Sequence, residues 1–162
     1  MFWVILLWAP TAAVQQQVQR GETLFFESSR GCATCHALKN RGTAIGPDLS
    51  VIGRLSPQAI VTAIRSSVTQ YVQEVRLKAA PPFPGMPAGE DEKTVRFYDL
   101  SKTPPELRTV DRSELASTVS QQKWKHPPSV SDYTSAQLAD IICYLRFTVK
   151  GVAEVVDPAD VE

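Results

Sequence analysis

Cys32-Ala33-Thr34-Cys35-His36 decides how this chain reads, and it stands in a sequence with only two histidines. Two thiols separated by two residues and followed at once by an imidazole form the C-x-x-C-H signature of covalent haem attachment. Each thiol adds to a haem vinyl group, so two thioether bonds hold one edge of the porphyrin. The histidine that follows then lies beneath the iron as an axial ligand. The expectation is one covalently bound haem c per chain, held by Cys32 and Cys35, with His36 as a metal ligand. A redox dithiol would sit at a strand-to-helix turn of a βαβ unit. Here a short helix is expected before the motif and a Gly-containing loop after it. A zinc site needs four closed ligands, and only Cys32, Cys35, His126 and Cys143 together could supply them.

The other histidine, His126, precedes Pro127 and Pro128 just upstream of the last expected helix. It is the candidate for the second axial position, so both His36 and His126 are read as metal ligands. Met86, in Gly85-Met86-Pro87, is the rival ligand, and an open or water-bound iron is the third reading. A methionine in a Pro-rich segment is more often a packing residue. Cys143 falls near the apolar face of the last helix and reads as a core residue.

The 162 residues carry no formal net charge, which argues against nucleic acid as a partner. With 43% apolar residues the chain can build a core. Eight of the twelve prolines fall in clusters at 81–87, 104–105 and 127–128, and such clusters mark loops. Residues 1–9 form an unbroken apolar run, followed by Pro10-Thr11-Ala12-Ala13 and three glutamines. That pattern suits a signal peptide, although no Lys or Arg precedes the run. The alternative for residues 1–19 is a short apolar anchor with membrane-surface contact through Trp3 and Trp8. The run is too short to span a bilayer, which takes about 20 apolar residues. Either reading puts the folded part in the periplasm or on the outer face of the cytoplasmic membrane.

The local patterns give a first helix over about 21–28, with Leu24 and Phe25 in the core. Ser56-Pro57 starts a second helix with the apolar stripe Ile60, Ile64 and Val68. Alternation at Val75, Leu77 and Ala79, then at Val95 and Phe97, gives two strands. A third is expected near 107–110, so residues 71–115 read as a small antiparallel insertion. Thr134 and Gln137 form a capping box for the last helix, with Tyr133 and Leu138 as its staple. Residues 20–150 form one domain, and 151–162 an acidic, frayed tail.

The order helix, C-x-x-C-H, Gly46-Pro47-Asp48-Leu49, helix and a final helix with Tyr144-Leu145 resembles the class I cytochromes c. The resemblance implies a mainly α fold with a small antiparallel β insertion before the ligand loop and last helix. It also implies a close crossing of the first and last helices at Gly21 and Phe25, against Tyr144 and Leu145. Pro47 stands where the family's proline carbonyl accepts the Nδ1–H of the ligand histidine. Arg54 stands as a candidate partner for a haem propionate.

The chain is most similar to the haem-binding domain of acidobacterial and planctomycete proteins, over roughly residues 20–147. That domain carries a β insertion and takes its sixth ligand from a methionine before the last helix. Trp124-Lys125-His126-Pro127 occupies that segment here, with His126 in place of the methionine. Trp124 is a candidate cover for a haem edge. Lys39, Arg41, Lys123 and Lys125 flank the ligand segments and would suit an acidic docking partner.

Taken together, the expected function is electron transfer by a single-haem, bis-histidine carrier or by a subunit of a membrane redox complex, with no catalysis of its own. The partner would be a redox protein or a membrane redox complex, such as a reaction centre, an oxidase or a dehydrogenase. The alternative is a haem enzyme or sensor with an open distal site, peroxidase-like or gas-binding.

Overall fold

The computed structural model describes residues 10–65, 71–121, 124–125, 132–152 and 154–162. Among them are three α-helices: α1 (Ala12–Phe25), α2 (Pro57–Arg65) and α3 (Ser135–Lys150). Seven strands accompany them: β1 (Ala37–Leu38), β2 (Arg41–Gly42), β3 (Gln73–Leu77), β4 (Phe83–Glu90), β5 (Thr94–Asp99), β6 (Glu106–Asp111) and β7 (Leu115–Ser120). None of these helices is long and apolar enough to cross a membrane.

Each helix begins where a side chain meets the unpaired amides of the first turn. Thr11 accepts from Val14 N, and Ser56 from Ala59 N. At α3 the box is reciprocal: Thr134 Oγ1 accepts from Gln137 N, and Gln137 Oε1 accepts from Thr134 N. The first helix starts well before the expected 21–28. Val14, Gln17, Gly21 and Phe25 make a buried stripe at helical spacing, so the segment read as the end of a leader is partly α1. The expected stripe residue Val68 and the apolar run 1–9 lie outside the described residues.

The first and last helices cross at Gly21. A Cβ there would sit 2.0 Å from the Asp140 carbonyl oxygen, so only glycine permits the approach. Around the crossing, the rings of Phe25 and Tyr144 stand 5.4 Å apart. The Arg20 guanidinium closes one side with two bonds to the Asp140 carboxylate, at 2.8 and 2.9 Å. Ile60 of α2 joins the same core, with Ile141, Ile142 and Leu145 of α3.

The expectation of a mainly α fold is overturned. The described residues are 35% helix and 25% strand, with a five-stranded and a two-stranded sheet. The larger sheet is antiparallel throughout, in the order β6-β5-β4-β3-β7. It starts at Gln73 and reaches Ser120, past the expected end at 115. Two of its strands carry little alternation. Strand β4 contains Pro84 and Pro87, residues that read as loop, and its register shifts between Pro87 and Gly89. A bulge of this kind lets a proline-bearing strand stay in a sheet despite its missing amide donor. Strand β7 lies at the sheet edge with mostly exposed side chains, so no apolar period announces it. The sheet has its own core of Val75, Phe83, Val95, Phe97 and Val110, separate from the helical one.

Residues 154–162 are not frayed. Val156 and Val161 are each 1% exposed and belong to the helical core. The buried Gln17 amide bonds both ways to Val156: Nε2 donates to the carbonyl at 2.8 Å, and Oε1 accepts from the amide at 3.0 Å. Gln17→Ala would strand both backbone groups, at a cost of about 2 kcal/mol. The expected result in urea is a lower midpoint with an unchanged slope. A midpoint equal to wild type would show that water replaces the side chain.

Candidate functional site

The C-x-x-C-H motif follows α1 after a six-residue connection, 26–31. Cys32–Thr34 form a 3-10 turn, and His36 N donates to Cys32 O at 2.8 Å. The loop after the β1–β2 hairpin folds back on it: Ile45 N and Gly46 N both donate to Cys35 O, at 3.0 and 2.7 Å. Lys39 and Asn40, at φ 47° and 65°, make the tight turn of that hairpin.

This backbone fixes the imidazole. His36 Nδ1 donates to the Pro47 carbonyl at 2.7 Å, since a carbonyl oxygen can only accept. The neutral ring then carries its lone pair on Nε2, the form a metal takes. Gly46 lies against the ring face, where a Cβ would come within 2.6 Å of Cε1. Burial pushes the His36 imidazole below its usual range, against the raising effect of the Pro47 hydrogen bond, and this keeps it neutral.

The motif opens on a cavity of about 470 Å³, within the size range of cofactor sites. Cys32, Cys35 and His36 line it, with Leu138, Ile141 and Leu145 of α3 beyond them. Pro47, Tyr133 and Trp124 line it too. Neither thiol is in a disulfide. Burial pushes the Cys32 thiol up to about 11, and burial also raises Cys35 against a hydrogen bond with Thr34. A redox dithiol has its attacking thiol lowered instead. Two reactive-edge thiols and one oriented imidazole on the wall of a largely apolar cavity fit a haem.

Other candidates fall elsewhere. His126 and Lys123 lie outside the described residues. Arg54 is exposed and is not on the cavity wall; its carbonyl accepts from Lys150 Nζ at 2.6 Å. Cys143 is buried in the helical core, its thiol donating to Glu154 O at 3.6 Å. Arg41 pairs with Glu22 and stacks on Phe26, and Lys39 and Lys125 are exposed.

The sheet supplies a wall that the sequence reading did not anticipate. Met86 of β4 lines the cavity, as do Leu100, Lys102, Thr103 and Pro105 from the β5–β6 connection. Gly85-Met86-Pro87 gave a hint of this for Met86. Nothing local marks the connection, because its place depends on how the sheet packs.

No curated protein matches the chain. The family profile described as cytochrome c matches residues 18–99, just over half of the sequence, from α1 through the motif to β5. That span holds both cavity thiols and the imidazole set by Pro47, and the chain accordingly belongs to the cytochrome c family, as an electron-transfer protein with covalently bound haem c.

Proposed function

We propose that the chain is a single-haem electron carrier, or the electron-entry subunit of a larger redox complex, with Cys32 and Cys35 as the thioether residues and His36 as the axial ligand. The observation that carries this is the common cavity, which takes both thiols and an imidazole oriented by Pro47. Bound haem supplies one-electron chemistry between ferric and ferrous iron. The protein's part is to orient His36, exclude water with α3 and the sheet connection, and hold the porphyrin edge. The partner in this reading is a redox protein or membrane redox complex, met in the periplasm or at the outer face of the cytoplasmic membrane. The β insertion between α2 and α3 supports the closer kinship with the acidobacterial and planctomycete haem-binding domains.

His126 is the proposed sixth ligand. Trp124 and Tyr133, on either side of it in the chain, both line the cavity. A second reading rests on Met86, whose side chain is on the cavity wall. Optical spectra of two variants decide between them. With His126 as ligand, His126→Ala turns the low-spin ferric haem high-spin and opens it to carbon monoxide, while Met86→Ala leaves the spectrum unchanged. Imidazole ligation also implies a lower potential than thioether ligation. The reverse pattern in the two variants assigns the iron to Met86.

A further inference from the structure

We propose that the open edge of β7 is a self-pairing surface, on which a second copy of this chain adds its own β7 antiparallel to form a two-fold dimer. A sheet edge presents unpaired amides and carbonyls, and another strand is the partner that matches them. The five-stranded sheet has two edges, β6 and β7. Strand β6 is guarded by charge, with Glu106, Arg108 and Asp111. Residues 115–121, Leu-Ala-Ser-Thr-Val-Ser-Gln, carry no charge and no proline. Charges and prolines are the usual means of keeping an edge from pairing, and β7 has neither.

The β3–β7 ladder fixes which groups of β7 face outward. Gln121 N donates to Val72 O at 2.9 Å, one step beyond the Gln73–Ser120 pair. Bonded and non-bonded pairs alternate along an antiparallel ladder. Val119 and Ser117 therefore bond inward to Glu74 and Arg76, while Thr118 and Ser120 turn their amides and carbonyls away from β3. Those outward groups bond nothing else among the described residues. One antiparallel register uses them all: Thr118 of each copy bonds Ser120 of the other, in both directions. It sets the two Val119 side chains together in the non-bonded pair at the axis, where side chains come closest. Val119 is 47% exposed in the single chain, so pairing takes an exposed apolar group out of water. Ser117 then faces Gln121, and no like charges meet. With no formal net charge, two copies approach without long-range repulsion. Pairing β7 with β6 of another copy would set these uncharged residues against charges, and it would propagate as a fibre where the two-fold contact closes. By register Met86, Glu74 and Val119 share a face, so the joined sheet carries both cofactor cavities on one side.

One short strand per copy makes a small contact, so the dimer should form and dissociate with concentration. The test is sedimentation velocity on the haem-loaded full chain across a concentration series, with Thr118→Pro and Val119→Lys alongside. Proline at 118 removes an outward amide that β3 does not use, so the fold stands while the dimer loses one hydrogen bond on each side of its axis. Thr118→Pro should raise the dissociation constant by about thirtyfold. Val119→Lys sets two ammonium groups opposite each other and should act in the same direction. Air oxidation of Val119→Cys should trap a disulfide-linked dimer, because the Cα atoms of a non-bonded pair stand within disulfide reach. Leu107→Cys, also exposed but on β6, should not be trapped. A chain that stays monomeric, with no trapped Val119→Cys dimer, overturns the proposal. So does a dimer indifferent to both Thr118→Pro and Val119→Lys, which would place the contact elsewhere. So does trapping through Leu107→Cys, which would place it on the other edge.

Discussion

Cys32→Ser combined with Cys35→Ser will turn a permanent prosthetic group into an exchangeable one. In the parent chain the haem stays with the denatured protein through acid–acetone extraction; in the double variant it should leave completely. The thermal consequence is equally large. The cavity of about 470 Å³ reaches the core residues Leu138, Ile141 and Leu145. Without haem these side chains lose a packing partner, and the helices around them lose what holds them apart. A covalent group cannot be diluted away, so the parent's melting temperature should not depend on added haem. In the double variant haem binds by mass action, and stability should climb with its concentration. The gain is about 2.7 kcal/mol at a hundredfold excess over Kd. A double variant whose melting temperature ignores added haem would show that the cavity does not take it.

Gly21→Ala should cost about 3 kcal/mol, at the top of the range for overpacked sites. Two effects compete. Alanine is the better helix former by about 1 kcal/mol, and α1 would gain that much if it stood alone. Against it, the new methyl would lie 2.0 Å from the Asp140 carbonyl oxygen and 2.8 Å from Tyr144 Cβ. Neither is the movable end of a side chain, so the helices must separate. Separation also loosens the Phe25–Tyr144 ring contact and the Arg20–Asp140 pair. At about 2–4 °C per kcal/mol for a chain of this size, the melting temperature should fall by about 6–12 °C. A variant as stable as the parent would mean that the crossing is looser than its geometry. Arg20→Ala at the same interface should cost far less, because that guanidinium is half in water.

The second and last helices were legible because their signals are local, whereas the first starts at Ala12 and not at 21. Thr134 and Gln137 are three residues apart, Ser56 stands next to Pro57, and the haem motif spans five residues. The Pro47 contact was legible only through family resemblance. The sheet was half legible. Val75, Val95 and Phe97 alternate with polar neighbours because one face packs on a core, whereas β7 shows its side chains to solvent and β4 carries prolines. What makes these two into strands is pairing with partners elsewhere in the chain, and a one-residue window contains none of that. The tail was misjudged for the same reason. Its acidic residues are exposed, and the two valines that anchor it are apolar positions without a period. Lys102 had no local signature at all, since its place at the cavity follows from how β5 ends.

The two-way bond between Gln17 and Val156 joins positions 139 apart in the chain. That separation sets an order of events during synthesis. The first helix can form early, but its buried amide has no partner until the polypeptide has grown past residue 156. Until then α1 lacks its fastening to the tail, while Cys32 and Cys35 are already made. A growing chain therefore passes through a stage in which both thiols are present and the fold is not yet locked. That interval is when the two thiols are most accessible. Closure of the tail over α1 then follows as the step that seals the finished protein.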